Sequence, residues 1–277
     1  MLFSLAYRML GTRADAEDIV QEAWLRWQAA AKEEIRLPRS FMTTVVARLS
    51  LDALKAAHRK RESYTGPWLP EPLIDPPGTR AIEMAELLSM AFLHMLESLS
   101  PAERVAFLMR EAFEAEYGEI AEVLETSEEN SRQLVARARK HMANHPRRFR
   151  VDRERHQQLL KQFLRACESG DASQITSLLA EDAVLYADGG GKTLSALNPI
   201  YSADHIARFI VGVGRKNGVD VGVQFADVNG EPGVILTEAG GIRTVIAIEA
   251  GVDDRITRLF FVRNPEKIAG IEQLSRL

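Results

Sequence analysis

Apolar and polar positions alternate at helical spacing over residues 127–142, SEENSRQLVARARKHM. At about 100° per residue, Ser131, Leu134, Val135, Ala138 and Met142 share one face, and Arg132, Gln133, Arg137, Arg139 and Lys140 share the opposite one. The first face can pack on a core. The second is cationic, with one amide suited to a base edge. Ser127 is a plausible N-cap, and the acids after it suit the positive helix end. Just upstream, Tyr117–Leu124 reads as a short supporting helix. Supporting helix, tight turn and basic-faced second helix make a helix-turn-helix, whose second helix lies in the DNA major groove. The alternative is an ordinary solvated helix face, but the clustering of the cations favours DNA.

The same reading organises the rest of the chain. Residues 1–62 are helical. Leu2, Leu5, Ala6, Met9 and Leu10 keep helical spacing. A second helix runs from Thr12 or Arg13 to Trp27, with Ile19, Ala23 and Leu25 or Trp27 toward a core and Asp15, Asp18, Gln21 and Glu22 on an acidic, polar face. A third spans Pro38 to Arg61, with Phe41, Val45, Leu49 and Ala53 on one side and Lys55, His58, Arg59, Lys60 and Arg61 at its end. Helix-dipole capping is one reading of that cluster; four cations in seven residues exceed what capping needs, and phosphate contact is a reading of equal weight. Residues 63–79 are rich in proline and glycine and lack lysine and arginine, which marks a partly extended linker. Trp68, Leu69, Leu73 and Ile74 suggest that part of it docks on another surface. Residues 80–145 form a second helical domain. Leu87, Leu88, Ala91, Leu96 and Leu99 lead to Ser100, Pro101 and Glu103, an N-cap, N1 proline and N3 acid that start a helix. A basic connector spans 146–155.

From His156 the periodicity changes. Helices are expected at 156–170, 172–179 and 204–216. Strand-like runs cover 183–187, 219–228, 233–239, 242–250 and 256–262, separated by turn signals at Asn229-Gly230, Gly240-Gly241 and Gly251–Asp254. This predicts an α+β domain over 156–277, its helices packed on a curved antiparallel sheet with a concave pocket.

Charge changes the picture only when divided by segment. The net charge is −4 over 277 residues, which alone argues against DNA. Yet residues 80–129 carry 3 basic and 12 acidic side chains, whereas residues 130–155 carry 9 basic and 2 acidic ones. The local field is what phosphates meet. One cysteine, Cys167, excludes an internal disulfide framework and fits a reducing compartment. No apolar run approaches membrane-span length, and the N-terminus lacks a cleavage pattern, so a cytoplasmic protein with no membrane partner is expected. The six histidines and one cysteine show no metal-ligand spacing, and no cofactor is implied.

Asp15–Trp24, Ser40–Arg61 and Leu99–Met142 together resemble an extracytoplasmic-function sigma factor of bacterial RNA polymerase. The third domain is similar to the SnoaL-like, NTF2-like family, and the order of parts resembles the sigma subgroup with a C-terminal SnoaL-like extension. Three short matches carry that subgroup: Trp68-Leu69-Pro70-Glu71-Pro72, Asp188-Gly189-Gly190-Gly191-Lys192 and Asn264-Pro265-Glu266-Lys267. The resemblance implies two all-α sigma domains followed by an NTF2-like cone. Region 2 would occupy 1–62 and region 4 would occupy 80–145. The chain begins inside the first helix usual for region 2, and Glu125 stands where a helix-turn-helix turn usually has glycine.

The resemblance further implies a dissociable specificity subunit without catalysis, whose partners are RNA polymerase core and promoter DNA. Arg132, Gln133 and Arg137 would face the −35 bases, since arginine suits guanine and glutamine suits adenine, while Arg139 and Lys140 hold phosphates. Arg48 and Asp52 would meet the melted −10 strand, whose bases need a pocket, with Arg59, Lys60 and Arg61 on backbone. Asp15, Asp18, Gln21 and Glu22 would contact the polymerase clamp. The three subgroup motifs would form a regulatory interdomain set. For the extension, cis regulation ranks first, sensing of a small-molecule ligand in the SnoaL-like pocket second, and acid–base chemistry at Asp182, Asp188, His205 or Lys192 a distant third. A DNA-binding regulator that works without polymerase is the alternative for the whole chain.

Overall fold

The computed structural model describes residues 1–30, 35, 37–61, 63–75, 89–143, 152–217, 221–238, 241–251 and 253–274. Leu87 and Leu88, the 76–79 end of the linker, residues 146–151 of the connector, Val219, Gly240, Val252 and the side chains of His58, Arg59 and Lys60 lie outside the described residues. The chain divides into two compact units, Met1–Ser63 with Leu93–Pro146, and Tyr64–Phe92 with Arg147–Leu277.

The first unit is all helical. It comprises α1 (Leu2–Leu10), α2 (Arg13–Ala29), α3 (Pro38–Arg61), the C-terminal part of α4 (Met90–Leu96), α5 (Pro101–Phe113), α6 (Tyr117–Leu124) and α7 (Glu128–Ala143). Gly11 ends α1 in the left-handed region at φ 76°, where a side chain would be strained. Ser100 caps α5 in a complete capping box with Glu103 and Pro101 at its start, as its sequence predicts. On α3 the core-facing residues are Val46, Ala47, Leu51 and Leu54. The expected stripe of Phe41, Val45, Leu49 and Ala53 is only half-buried. The helix is therefore rotated so that its small and aliphatic residues meet α1, and Phe41 lies at the rim against Trp27, ring centroids 5.9 Å apart. Leu25, an expected core candidate on α2, is exposed, and Ala16 and Ala23 take the buried positions.

A buried charge cluster ties the early helices to the later ones. Arg104 is 1% exposed. It donates to the Arg8 carbonyl at 3.0 Å and to Glu97 Oε1 at 2.6 Å. Arg61 pairs with the other Glu97 oxygen and donates to the Leu10 carbonyl. Burial alone would push the Glu97 carboxyl up, but Arg104 and Arg61 together hold it below the usual carboxylate range.

The second unit is α+β. Its helices are α8 (Arg153–Ser169), α9 (Ala172–Leu178), α10 (Ala203–Asn217) and α11 (Pro265–Leu274). Its strands are β1 (Ile74–Asp75), β2 (Leu179–Asp188), β3 (Ile200–Tyr201), β4 (Gly222–Val228), β5 (Glu231–Glu238), β6 (Gly241–Ala250) and β7 (Ile256–Val262). They form one sheet in the order β1-β4-β5-β6-β7-β2-β3. The expected all-antiparallel sheet is corrected at one pair: β2 and β7 run parallel. The short strand β3 and the helix α10 follow β2 before β4–β7 return as hairpins, and the last strand arrives beside β2 in the same direction. The β4–β5 turn is Asn229-Gly230, both at positive φ, the backbone that a two-residue hairpin demands.

Side chains alternate across the sheet. Leu185, Val234, Ile246, Ile248 and Leu259 point toward α8, α9 and α10 and form the main core with Phe163 and Ile206. Ile235, Val245, Ala247, Phe260 and Val262 point the other way. That second face is covered by Ile271 of α11, by Met90 and Ala91, and by Leu69 from the linker.

Candidate functional sites

The basic helix α7 is positioned by its own sequence. Ser127 Oγ accepts from the Asn130 amide at 3.2 Å, which satisfies one open donor of the first turn. Ser131, Leu134, Val135 and Ala138 are buried. Arg132, Gln133, Arg137, Arg139 and Lys140 are all exposed, on the face that the periodicity assigns. Glu125 ends α6 at φ 51° and ψ 48°, and so adopts the left-handed conformation usual for glycine at this turn despite its Cβ. Two of the exposed arginines are held. Arg132 pairs with Glu128 at 3.0 Å and sits 5.0 Å from the Tyr117 ring centre. Arg139 Nε donates to Glu111 of α5 at 3.0 Å. Gln133, Arg137 and Lys140 project between these anchored neighbours.

On α2, Asp15, Asp18, Gln21 and Glu22 are exposed, and Trp24 beside them is 53% exposed. On α3, Arg48 donates to the Glu122 carbonyl of α6 at 2.8 Å and pairs with its carboxylate at 3.2 Å. Asp52 lies exposed one turn further on, 4.0 Å from Lys55 Nζ. Arg61 departs from the expected phosphate-contacting role: its side chain is only 16% exposed, because Glu97 and the Leu10 carbonyl hold it inward.

The three short motifs that are far apart in sequence meet within the second unit. Asp188, at the end of β2, is completely buried. Its carboxylate accepts from Tyr64 Oη at 2.5 Å, the Leu69 amide at 2.9 Å, the Gly190 amide at 3.0 Å and Lys267 Nζ at 2.7 Å. Lys267 also donates to the Leu69 carbonyl, and its ammonium lies 4.1 Å from the Trp68 ring centre and 5.2 Å from that of Tyr64. Leu69 is thus gripped at both backbone groups while its side chain enters the sheet core. Burial raises the Tyr64 phenol above its ordinary value, and the bond to Asp188 raises it further, so it stays a donor.

Each motif has a local reason for its residues. Asn264 caps α11 through a 3.0 Å bond from the Glu266 amide, with Pro265 at the first helical position. Its other end donates to Tyr64 Oη at 2.9 Å. Gly190 turns at φ 61°, and a Cβ there would stand 2.4 Å from Asn264 Nδ2. Lys192 pairs with Glu266. Pro70 and Pro72 are buried and Glu71 is half-buried.

Sequence reasoning missed two members of this clasp. Tyr64 precedes the motif, and nothing in its spacing marks it. Asn229 was read only as a turn residue. It is buried, accepts from the Leu73 amide at 3.0 Å and donates its own amide to the Leu73 carbonyl at 2.8 Å. Ile74 and Asp75 then pair with Val228 and Asp227 of β4, so the linker continues as an edge strand.

The predicted concave pocket lies under α8 and α10. It has a volume of 580 Å³ and a largely apolar wall that includes Phe163, Phe209, Val223 and Phe261. Cys167 lines it, and burial pushes its thiol up to about 12. Among the described residues no group of three His, Cys, Asp or Glu is placed to hold a metal ion, and no helix is long and apolar enough to cross a membrane.

Comparison with known proteins places these features in one lineage. Residues 1–60 match Sigma-70 region 2 and residues 89–142 match Sigma-70, region 4. The chain is 38% identical over 284 residues to ECF RNA polymerase sigma factor SigJ of Mycobacterium tuberculosis, covering 97% of this chain and 90% of that protein. A probable ECF RNA polymerase sigma factor, SigI of the same species, is 33% identical over 184 residues, covering 64% of this chain and 63% of that one. The crystal structure of the M. tuberculosis extracytoplasmic function sigma factor SigJ superposes with a TM-score of 0.78 at 36% identity, covering 97% of this chain and 95% of that one. Likeness along nearly the whole chain, helical units and sheet alike, makes this protein a member of the extracytoplasmic-function sigma factors of RNA polymerase.

Proposed function

We propose that this sigma factor brings RNA polymerase core to promoters through three helical surfaces, and that its C-terminal unit sets that activity in cis by gripping the linker. The −35 element is read by Arg132, Gln133 and Arg137 of α7, with Arg139 and Lys140 on phosphates. The −10 strand meets Arg48 and Asp52 of α3, with Arg59 and Lys60 on its backbone. The acidic face of α2, Asp15, Asp18, Gln21 and Glu22, docks on the polymerase clamp, and the exposed Trp24 and Leu25 enlarge it. The protein acts in the cytoplasm. It acts as a non-catalytic subunit, a reading supported at three of the four candidate acid–base groups: Asp188 accepts from four donors, Lys192 is paired with Glu266, and His205 Nδ1 faces the Ser202 hydroxyl and the Tyr201 carbonyl.

The observation that supports cis control is the convergence of residues 64–75, 188–192 and 264–267 on one buried ion pair. The linker joins the two sigma regions in sequence, so gripping it restricts the spacing those regions can adopt. The test is promoter-specific transcription with polymerase core, using the full chain, the full chain with Lys267→Ala, and a truncation ending near Arg155. Both variants release the linker. The expected result is that both initiate from the same promoter and shift activity in the same direction. Unchanged activity in both would remove the cis role. Absence of core binding in every form would favour a regulator that works without polymerase.

A further inference from the structure

The pocket of the second unit contains polar groups that its own fold leaves unused. Ser195 Oγ and Arg263 Nε are shielded from solvent and have no hydrogen-bond partner among the described residues. Both residues line the pocket, as do Arg243 and Arg215, against a single glutamate, Glu168. Arg243 is neutralised by Glu238. Arg263 has no such partner: its guanidinium donates to the Leu194 carbonyl, and no carboxylate lies within ion-pair distance of it among the described residues. Burial pushes that guanidinium below its ordinary value, and the neighbouring Arg243 adds to the effect. A half-buried cation beside a second cation is an unfavourable arrangement for an empty site and a favourable one for an anion.

We propose that this pocket binds a small carboxylic acid with an apolar body. The carboxylate pairs with the Arg263 guanidinium, and the apolar body lies along Phe163, Phe209, Val223 and Phe261. A planar guanidinium matches a carboxylate bidentately, and the 580 Å³ volume is within the range of small-molecule sites. The same two strands carry the pocket and the clasp on alternate residues. Ala187 and Phe261 line the pocket, whereas Asp188 and, two residues past the end of β7, Asn264 hold the linker. Arg263 itself donates its backbone amide to the Asp188 carbonyl at 2.7 Å. A ligand that draws on the Arg263 side chain therefore acts on a residue hydrogen-bonded through its backbone to Asp188, whose side chain grips Leu69. This deepens the proposed cis control and rests on it for its consequence in transcription, while the binding itself stands independently.

The experiment uses the full chain without polymerase, with decanoate as probe and decanol as its uncharged counterpart, both below micelle formation. Calorimetric titration should show decanoate binding at least about tenfold tighter than decanol, a difference of about 1.4 kcal/mol. Arg263→Gln should remove that preference and leave decanol binding within about twofold, which also shows that the pocket is still formed; Arg263→Lys should retain part of it. Hydrogen exchange of the Leu69 and Leu73 amides, followed by mass spectrometry on residues 64–75, should change several-fold on saturation with decanoate. Equal binding of the two probes, no binding of either, or decanoate binding untouched by Arg263→Gln would overturn the site. Binding without any change in exchange would overturn its coupling to the clasp. None of these readouts depends on transcription.

Discussion

The exposed cations of α7 and the buried cations of the two joints use the same residue types to opposite ends. Arg132 and Arg139 pair with glutamates at the surface, their side chains more than half exposed. Such pairs contribute about 0–1 kcal/mol and weaken with salt. They hold the side chains in place and can be exchanged for phosphate at little loss. Lys267 on Asp188, and Arg104 with Arg61 on Glu97, are desolvated and backed by backbone carbonyls. Their removal leaves an uncompensated buried charge, which costs several kcal/mol. Surface pairs are thus suited to being traded when a partner arrives, and buried pairs to fixing geometry.

The sharpest way to break this comparison is at the clasp. Lys267→Ala should destabilise the second unit by about 3–5 kcal/mol, read as a lowered denaturation midpoint. A double change to apolar residues, Asp188→Leu with Lys267→Met, should cost less than the single one. If Lys267→Ala costs less than about 1 kcal/mol, the clasp behaves as a surface pair and the distinction fails.

Acid should expose the buried region before the exposed one. His156 is buried on α8, and burial, with Arg153 nearby, lowers its pKa from 6.5 to about 4. Above pH 6.5 both folded and unfolded states hold it neutral, so stability is complete. Between pH 6.5 and about 4 the unfolded chain takes up the proton and the folded chain does not, so stability falls, by on the order of 3 kcal/mol in total. His156→Phe should flatten that part of the pH–stability curve, and an unchanged slope would sink the assignment.

On α7 the expected effects reverse. Arg137→Ala should leave unfolding within about 0.5 kcal/mol and weaken binding to a −35 duplex by about 1–3 kcal/mol with relaxed base preference. Lys140→Ala should weaken binding evenly across sequences and lower the salt slope by about one. Equal loss on specific and random duplexes for both variants would show that α7 contacts only phosphate. The smallest effect is at the turn: Glu125→Gly should stabilise the first unit by up to about 1 kcal/mol, measured by thermal melting, because the left-handed conformation no longer opposes a Cβ.

Local structure was legible where one element carried its own signal. Ser100, Pro101 and Glu103 start α5 where expected, and four of the five residues assigned to the core face of α7 are buried, with Met142 half-buried at its end. Pairings that depend on the rest of the fold were not. The direction of β2 beside β7 is settled by the path of the intervening chain through β3, α10 and the hairpins β4–β6. Glu97 reads as one acid among many, yet the helices bring two guanidiniums to it. Arg61 ends a basic cluster, and only its position against Leu10 and Glu97 turns it inward. At the clasp the three motifs and their grouping came from the resemblance, whereas the buried Asp188–Lys267 pair on which they meet did not. Tyr64 and Asn229 entered through packing and hairpin geometry that no spacing records.

The two-residue strand β1 has a bearing on how the chain can be dissected. It lies along β4, which would otherwise form one margin of the sheet with its amide and carbonyl groups open. Open margins recruit other strands, and chains that expose them tend to aggregate. The linker segment thus completes the fold of a unit whose main body begins some eighty residues later. A fragment cut at the apparent start of that body would lose its guard strand together with Leu69, whereas a fragment that carries residues 64–75 fused ahead of it would keep both. Modularity in this protein follows the sheet and not the order of the sequence.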